Sequence, residues 1–410
     1  MERINRVGFK IKSNHLTNYL YQGLLGIFIF HRILTSTYLR NVLGVDINIW
    51  TEVIQWGFPF LLLALFFLEA VGMRISMRKF GLSIALLFVL IINFIAVRNT
   101  TLIISFLFII VFPDEMEIKR LAKFISNIYF LTIVLILLLC YIGVIEDYMI
   151  GRSGLVIERH SMGFVSPNAF GNTVAIACLI YTYALIDRWK IKNTLFVLIV
   201  GIMTYSMSDS RMAGLVMLGL AGLGTFYELL RKLKFFNVFY YITAYLFPVF
   251  TAGFIALASF MSRNSGSASY IALNMLLSNR VRWMVYYLDQ YGVSLLGNRI
   301  GTVSIYQVAT QGGTWMGLDN SYLMIAIQFG LVFSIVFTIG YYMLGRRLKE
   351  KKDLAGAILA TVFLMMGISE NYLFGINYNL TLLMFAYEFY VRNRFPVSQK
   401  GKAYRIYTRT

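Results

Sequence analysis

"NTLFVLIVGIMTYSMSDSRMAGLVMLGLAGLGTFYELL", residues 193–230, is two long apolar runs hinged on Ser208, Asp209, Ser210 and Arg211. Each run approaches the ~20 apolar residues that a bilayer core asks of a helix. Only a charged turn separates them. The stretch therefore predicts two membrane spans that reverse at a membrane surface, and it raises the question of why an aspartate and an arginine stand where a Gly-Asn pair would turn the chain without charge.

Composition extends this reading to the whole chain. Of 410 residues, 59% are hydrophobic, 16% are aromatic, 14% are charged and 5 are proline, the profile of an all-α polytopic membrane protein. Twelve spans are expected, at 17–35, 52–70, 80–97, 100–113, 124–145, 167–187, 193–208, 211–229, 236–260, 321–344, 354–372 and 377–391. The fourth is short enough to be tilted or re-entrant. A retained first helix is expected, because no small-residue cleavage site follows "GIFIFHRILTSTY". Residues 1–410 are read as one integral membrane domain with two outward loops of note, 146–166 and 261–320. A loop as long as the second, in a tightly threaded protein, is usually functional. Cys140 and Cys178 sit inside apolar runs, as packing residues rather than a disulfide framework.

The net charge of +18 follows the same plan. With both termini inside, most of the lysines and arginines fall on cytoplasmic segments, the positive-inside bias of a bacterial plasma-membrane protein. The basic clusters are topology signals, and nucleic acid is not an expected partner. All fourteen lysines lie on the expected cytoplasmic side, so every outward cation is an arginine, among them Arg32, Arg159, Arg211, Arg280 and Arg282. A guanidinium binds phosphate through a planar fork and keeps its charge in a partly dry site. The outer face looks prepared for an anion.

Helix starts point the same way. The turn at 208–215 begins the eighth span, with Ser210 or Asp209 as cap and Arg211 first in the helix; "SPNAFGN" offers Ser166 as cap with Pro167 behind it, and "LDNSYL" offers Asp319 or Asn320. Any inbound helix needs a cap, but these three have arginines nearby, and a helix N-terminus beside a cation is a ready anion site. Within the long loop, "YIALNMLLSNRVRWMVYYLDQY" reads as one helix with Leu273, Leu277, Val281, Met284 and Leu288 on one face. Arg280 falls on the rim of that face and Arg282 opposite it.

The order "RHSMGFVSPNAFGN", "SDSRMAGL", "SNRVRW" followed by "LLGNRIG", then "LDNSYLMIAIQFG" resembles the Wzy-type polysaccharide polymerases, relatives of the O-antigen ligases. The resemblance covers residues from about 150 to 345. It implies a C-type glycosyltransferase fold acting on polyprenyl-diphosphate-linked oligosaccharides at the outer leaflet, alongside flippase and chain-length regulator proteins. It assigns Arg211 and Arg280 to the lipid diphosphate, and Arg159 matches a basic residue just before the Gly-Phe-x-x-Pro-Asn element. Where the ligase branch has a His-Asn pair this chain has Asp319-Asn320, which argues for a polymerase and leaves the catalytic base open.

The chemistry is consistent with the residues themselves. An acceptor hydroxyl attacks an anomeric carbon, and the departing diphosphate needs the charge stabilisation that arginines and helix N-termini supply. Asp319 and His160 are the candidate catalytic bases; Asn168, Ser208, Ser210, Asn320 and Tyr322 are the supporting residues. No outward Asp-x-Asp or His/Glu cluster is visible, so no metal and no other cofactor is expected. A lipid-linked oligosaccharide flippase is the rival from another class, and an O-antigen-type ligase the rival within it. A flippase would carry ionisable groups at mid-membrane, whereas the inner portions of these spans are nearly charge-free.

Overall fold

The structure, a computed structural model, describes residues 2–39, 47–71, 75, 77–152, 155–277, 279–303 and 316–390. Part of the long loop, 304–315, and the basic tail from 391 lie outside the described residues. Helices run as α1 Glu2–Leu34, α2 Ile47–Val71, α3 Met77–Val97, α4 Thr100–Ile110, α5 Ile118–Tyr141, α6 Pro167–Leu185, α7 Ile191–Ser208, α8 Arg211–Leu230 and α9 Val238–Arg263. In the long loop come α10 Ala268–Leu276 and α11 Arg280–Tyr291; then α12 Ser321–Met324, α13 Gly330–Lys351, α14 Leu354–Met366 and α15 Thr381–Tyr390. The loop after α5 holds an antiparallel hairpin, β1 Met149–Arg152 and β2 Leu155–His160, in register Met149 to His160 and Ile150 to Arg159.

Eight helices among the described residues are long and apolar enough to cross a membrane, so the chain is a multi-pass, essentially all-α membrane protein. Their outward faces carry large apolar side chains such as Phe60, Leu68, Phe88 and Ile95. Burial sorts the spans. Pro167–Arg188 is 78% and Ser321–Lys351 67% buried, against 22–33% for the other six, so these two run through the centre. Small residues on α6, including Gly171, Ala175, Ala177 and Cys178, let neighbouring helices close around it.

The short fourth segment is helical over only eleven residues, Thr100–Ile110. Its helix stops at Ile110, but Lys79 at the start of α3 donates to the Phe112 carbonyl at 2.7 Å and to Asp114 at 3.1 Å. The chain after α4 thus turns back against the start of α3. The fifth helix starts at Ile118 rather than 124 and ends at Tyr141, because Lys119 and Lys123 ride at its polar end, Lys119 paired with Asp187, and Gly143 takes a positive φ of 77° just past its end.

Three expectations change. The eleventh span does not continue to 372: α14 stops at Met366 and residues 367–380 form an irregular turn that leads into α15. The single loop helix is two, because Asn279 adopts the left-handed conformation (φ 66°) and Asn274 caps the break, its Oδ1 accepting from Arg282 N at 2.9 Å. The tenth span is discontinuous, with a π-helical stretch at Ile325–Phe329 and Gly330 at φ 84°.

Polar backbone exposed by that break must be satisfied within the protein. The 294–298 segment does this. Asn298 N donates to the Ile327 and Gln328 carbonyls at 3.1 and 3.0 Å, Leu331 N to Ser294 O at 3.0 Å, and Val332 N to Leu295 O at 3.1 Å. Asn93, buried in α3, donates to Leu296 O at 2.7 Å and Phe329 O at 2.9 Å. Contact is closest at two glycines: a Cβ on Gly297 (φ 96°) would sit 2.0 Å from the Gln328 carbonyl oxygen, and one on Gly330 would sit 2.4 Å from Gly297 N.

Candidate functional site

One end of the bundle gathers four helix starts, those of α6, α8, α11 and α12. Ser166 caps α6 through Ala169 N at 3.1 Å, with Pro167 in the first turn where its missing N–H costs nothing. Asn320, not Asp319, caps α12, accepting from Leu323 N at 2.9 Å and donating to Ile368 O at 3.0 Å. Asp319 is thereby left out of the capping role. At α8 the expected side-chain cap is missing: Ser210 holds the cap position without a capping bond, and Asp209 is the left-handed end of α7 at φ 44°.

The first two turns of α6 join two clusters. On one side Asn168 accepts from Arg159 Nη2 at 2.6 Å, while Arg159 Nε donates to the Ser208 carbonyl at 2.8 Å. The hairpin arginine thus braces the Ser208–Arg211 turn against α6. Gly171 permits the contact, because a Cβ there would lie 2.6 Å from Ser210 Cβ. Arg211 stands exposed at the head of α8, and among the described residues no ion pair involves it. Ser208 and Ser210 are buried beneath it.

One turn further along α6, Asn172 Nδ2 reaches the Tyr372 hydroxyl at 3.4 Å, and both side chains lie close enough to the Glu370 carboxyl to favour its charged form. Arg280 Nη2 lies 3.7 Å from Glu370 Oε1, with side-chain exposures of 28% and 15%. Asp319 belongs to the same cluster, close enough for its charge to act on both Arg280 and Glu370. Backbone bonds fix the arrangement: Ser321 N donates to Gly367 O at 2.9 Å, Ser321 Oγ to Glu370 O at 2.6 Å, and Leu373 N to Ser321 Oγ at 3.2 Å. The irregular 367–380 turn is stapled to the start of α12, and that staple sets Glu370 beside Asp319.

Electrostatics here run in opposition. Burial raises both carboxyls above the usual range; for Glu370 the neighbouring Asp319 adds to this, and for both Arg280 pulls the other way. Three buried polar atoms at the cluster, Arg280 Nε, Asn172 Oδ1 and Asn371 Oδ1, have no hydrogen-bond partner among the described residues. Buried polar groups are rarely left so, which marks them as donors and acceptors for a polar ligand.

Of the residues expected from sequence, the structure brings Arg159, Asn168, Ser208, Ser210 and Arg211 into one cluster and Arg280, Asp319 and Asn320 into the other. It does not bring His160 to them. Successive strand residues point to opposite faces, so while Arg159 faces α6, His160 turns to Asp147, Nδ1 to Oδ2 at 2.5 Å. Tyr322 is also turned away, wholly buried with its hydroxyl donating to Leu364 O at 2.6 Å, among Phe247, Phe250 and Phe254. Sequence reading missed Glu370, Asn172 and Tyr372. A signal existed: "GISENYLFGINYN", 367–379, is too rich in glycine and asparagine for a span's end. Among the described residues no three His, Cys, Asp or Glu side chains converge. No protein-family model matches the chain, and no curated protein or solved structure matches it.

Proposed function

We propose that the protein is a polysaccharide polymerase, a C-type glycosyltransferase of twelve spans with both termini cytoplasmic, which joins polyprenyl-diphosphate-linked oligosaccharide repeats by inverting transfer at the outer face of a bacterial plasma membrane. The observation that carries this reading is the N-terminal end of α6, residues 168–172. It holds an arginine-rich cluster and a carboxyl-bearing cluster side by side at one end of an apolar bundle. Glycosyl transfer from a lipid diphosphate needs both, a cationic seat for the leaving group and an acceptor for the hydroxyl proton. The lipid membrane brings the substrate to that end without a soluble carrier.

The test uses purified protein in lipid nanodiscs with lipid-linked repeats. Because the donor already carries its leaving group, products of two repeats and longer are expected in EDTA without added nucleotide. Complete loss in EDTA, restored by Mg²⁺ or Mn²⁺, would remove the arginine-based mechanism, and no lengthening under any condition would remove the polymerase. Deletion in cells separates the flippase: a missing polymerase leaves single repeats on lipid outside, a missing flippase traps them inside.

A further inference from the structure

The resemblance groups Arg280 with Arg211 as a diphosphate ligand, but the two arginines have different surroundings. Arg211 is exposed at the head of α8. Arg280 has Glu370 at 3.7 Å and Asp319 in the same cluster. A guanidinium with a carboxyl at 3.7 Å and a second one acting on it is partly charge-compensated, and a diphosphate brought against it would meet like charge. The groups around the Glu370 carboxyl are Arg280 from α11, Asp319 from the segment before α12, Asn172 from α6, and Tyr372 from its own turn. Tyr378 stacks on Tyr372 at 4.5 Å, and the charge of Arg32, from the end of α1, acts on Tyr378. None of the cations contacts the carboxyl as a tight, fully compensating pair.

Resting on the polymerase reading, we infer that Glu370, with Asp319 in the same cluster, accepts the proton of the attacking sugar hydroxyl, that Arg280 is the positioning residue for this carboxyl, and that the diphosphate sits at the other cluster, by Arg211 and Arg159. The acceptor oxygen forms its bond to the anomeric carbon as the bond from that carbon to the diphosphate oxygen breaks. The bonding pair leaves on the diphosphate, and the hydroxyl proton passes to the Glu370 carboxylate and from there to water. The unpartnered Arg280 Nε, Asn172 Oδ1 and Asn371 Oδ1 are groups suited to the hydroxyls of the acceptor sugar. The opposed influences on Glu370, burial and Asp319 raising its proton affinity while Arg280 lowers it, hold it nearer neutrality than an ordinary glutamate, where a proton acceptor works best.

The experiment measures polymerisation rate against pH in nanodiscs, together with inhibition by sugar-free polyprenyl diphosphate, for the wild type and four variants. Glu370→Gln is expected to lose about 10²-fold or more in kcat and to lose the acidic limb of the profile. Its inhibition constant for polyprenyl diphosphate should match the wild type, which also shows that the variant is folded. Glu370→Asp, still able to titrate, should keep the limb at a reduced rate. In Arg280→Ala the limb should move to higher pH, because loss of the cation lets Glu370 keep its proton longer, again with inhibition unchanged. Arg211→Ala should weaken inhibition at least tenfold and leave the limb in place. Arg280→Ala that weakens inhibition as much as Arg211→Ala with an unmoved limb would overturn the assignment, as would Glu370→Gln with the wild-type rate and profile. Wild type that lengthens nothing would sink the polymerase reading and this one with it; active wild type with indifferent variants would sink this one alone.

Discussion

At the scale of single residues, the charged turn of the opening stretch has a physical account. Asp209 takes a left-handed conformation that ends α7, which aspartate tolerates better than bulky residues. Arg211 follows at the head of α8, beneath which Arg159 ties the turn to α6. If Arg211 seats the diphosphate, the two-pronged guanidinium matters more than its positive charge. Arg211→Lys is then expected to lose about 10- to 100-fold in activity at normal protein level, the rate equivalent of the ~1.5–3 kcal/mol of a charged hydrogen bond, and Arg211→Ala a similar amount. Arg282→Lys should stay within about twofold, since Arg282 is exposed with its guanidinium over Trp283 and lysine keeps that contact. Gel analysis of polymer length at matched abundance checks both. Near-normal polymer from Arg211→Lys would show the turn to be a headgroup anchor, where lysine snorkels equally well. Arg159, Arg211, Arg280 and Asp319 were all legible in the sequence, because each stands next to a helix start or a turn that the apolar pattern makes visible.

At the scale of elements, the informative feature is the broken tenth span. The pattern "LDNSYLMIAIQFGLVFSIVF" reads as one uninterrupted helix, yet the chain forms α12, a π-helical stretch and α13. Nothing local demands this. The break is held by the 294–298 segment and by Asn93, elements 30 and more than 200 residues away in sequence, which take up the freed carbonyls and N–H groups. Gly297→Ala is expected to strain this docking, adding ~1–3 kcal/mol of backbone cost at a positive φ to an overlap with Gln328 O. It should lower the thermal midpoint in detergent and reduce activity. Gly253→Ala, in α9 with no atom within 4 Å of the added Cβ, should leave both unchanged or slightly improved. Equal midpoints for the two variants would mean that the segment does not brace the break.

At the scale of the whole molecule, the site lies at one end of an apolar bundle whose two most buried spans, Pro167–Arg188 and Ser321–Lys351, both begin there. Orientation in the membrane then decides which leaflet the site serves, and the distribution of lysine predicts the outer one. With Cys140 and Cys178 replaced, a cysteine introduced at Ser265, exposed just beyond α9, should react with an impermeant maleimide on intact cells. One introduced at Lys352, at the end of α13, should react only after permeabilisation. The reverse pattern would overturn the outer-face reading.

Sequence by itself determined the class of the protein, the positions of its eight long apolar helices to within a few residues at most of their ends, and which arginines stand near helix starts. These follow from apolar run length and local capping chemistry, which act over one or two helical turns. Tertiary structure alone decided that Glu370 faces Arg280 and Asp319, that His160 pairs with Asp147 and Tyr322 enters the aromatic core, and that the tenth span breaks at Ile325–Phe329. The physical reason is the same in each case. A carboxyl in an irregular turn, or a helix giving up hydrogen bonds at membrane depth, is stable only when distant segments supply its partners, and no local pattern in the chain records which distant segments those are.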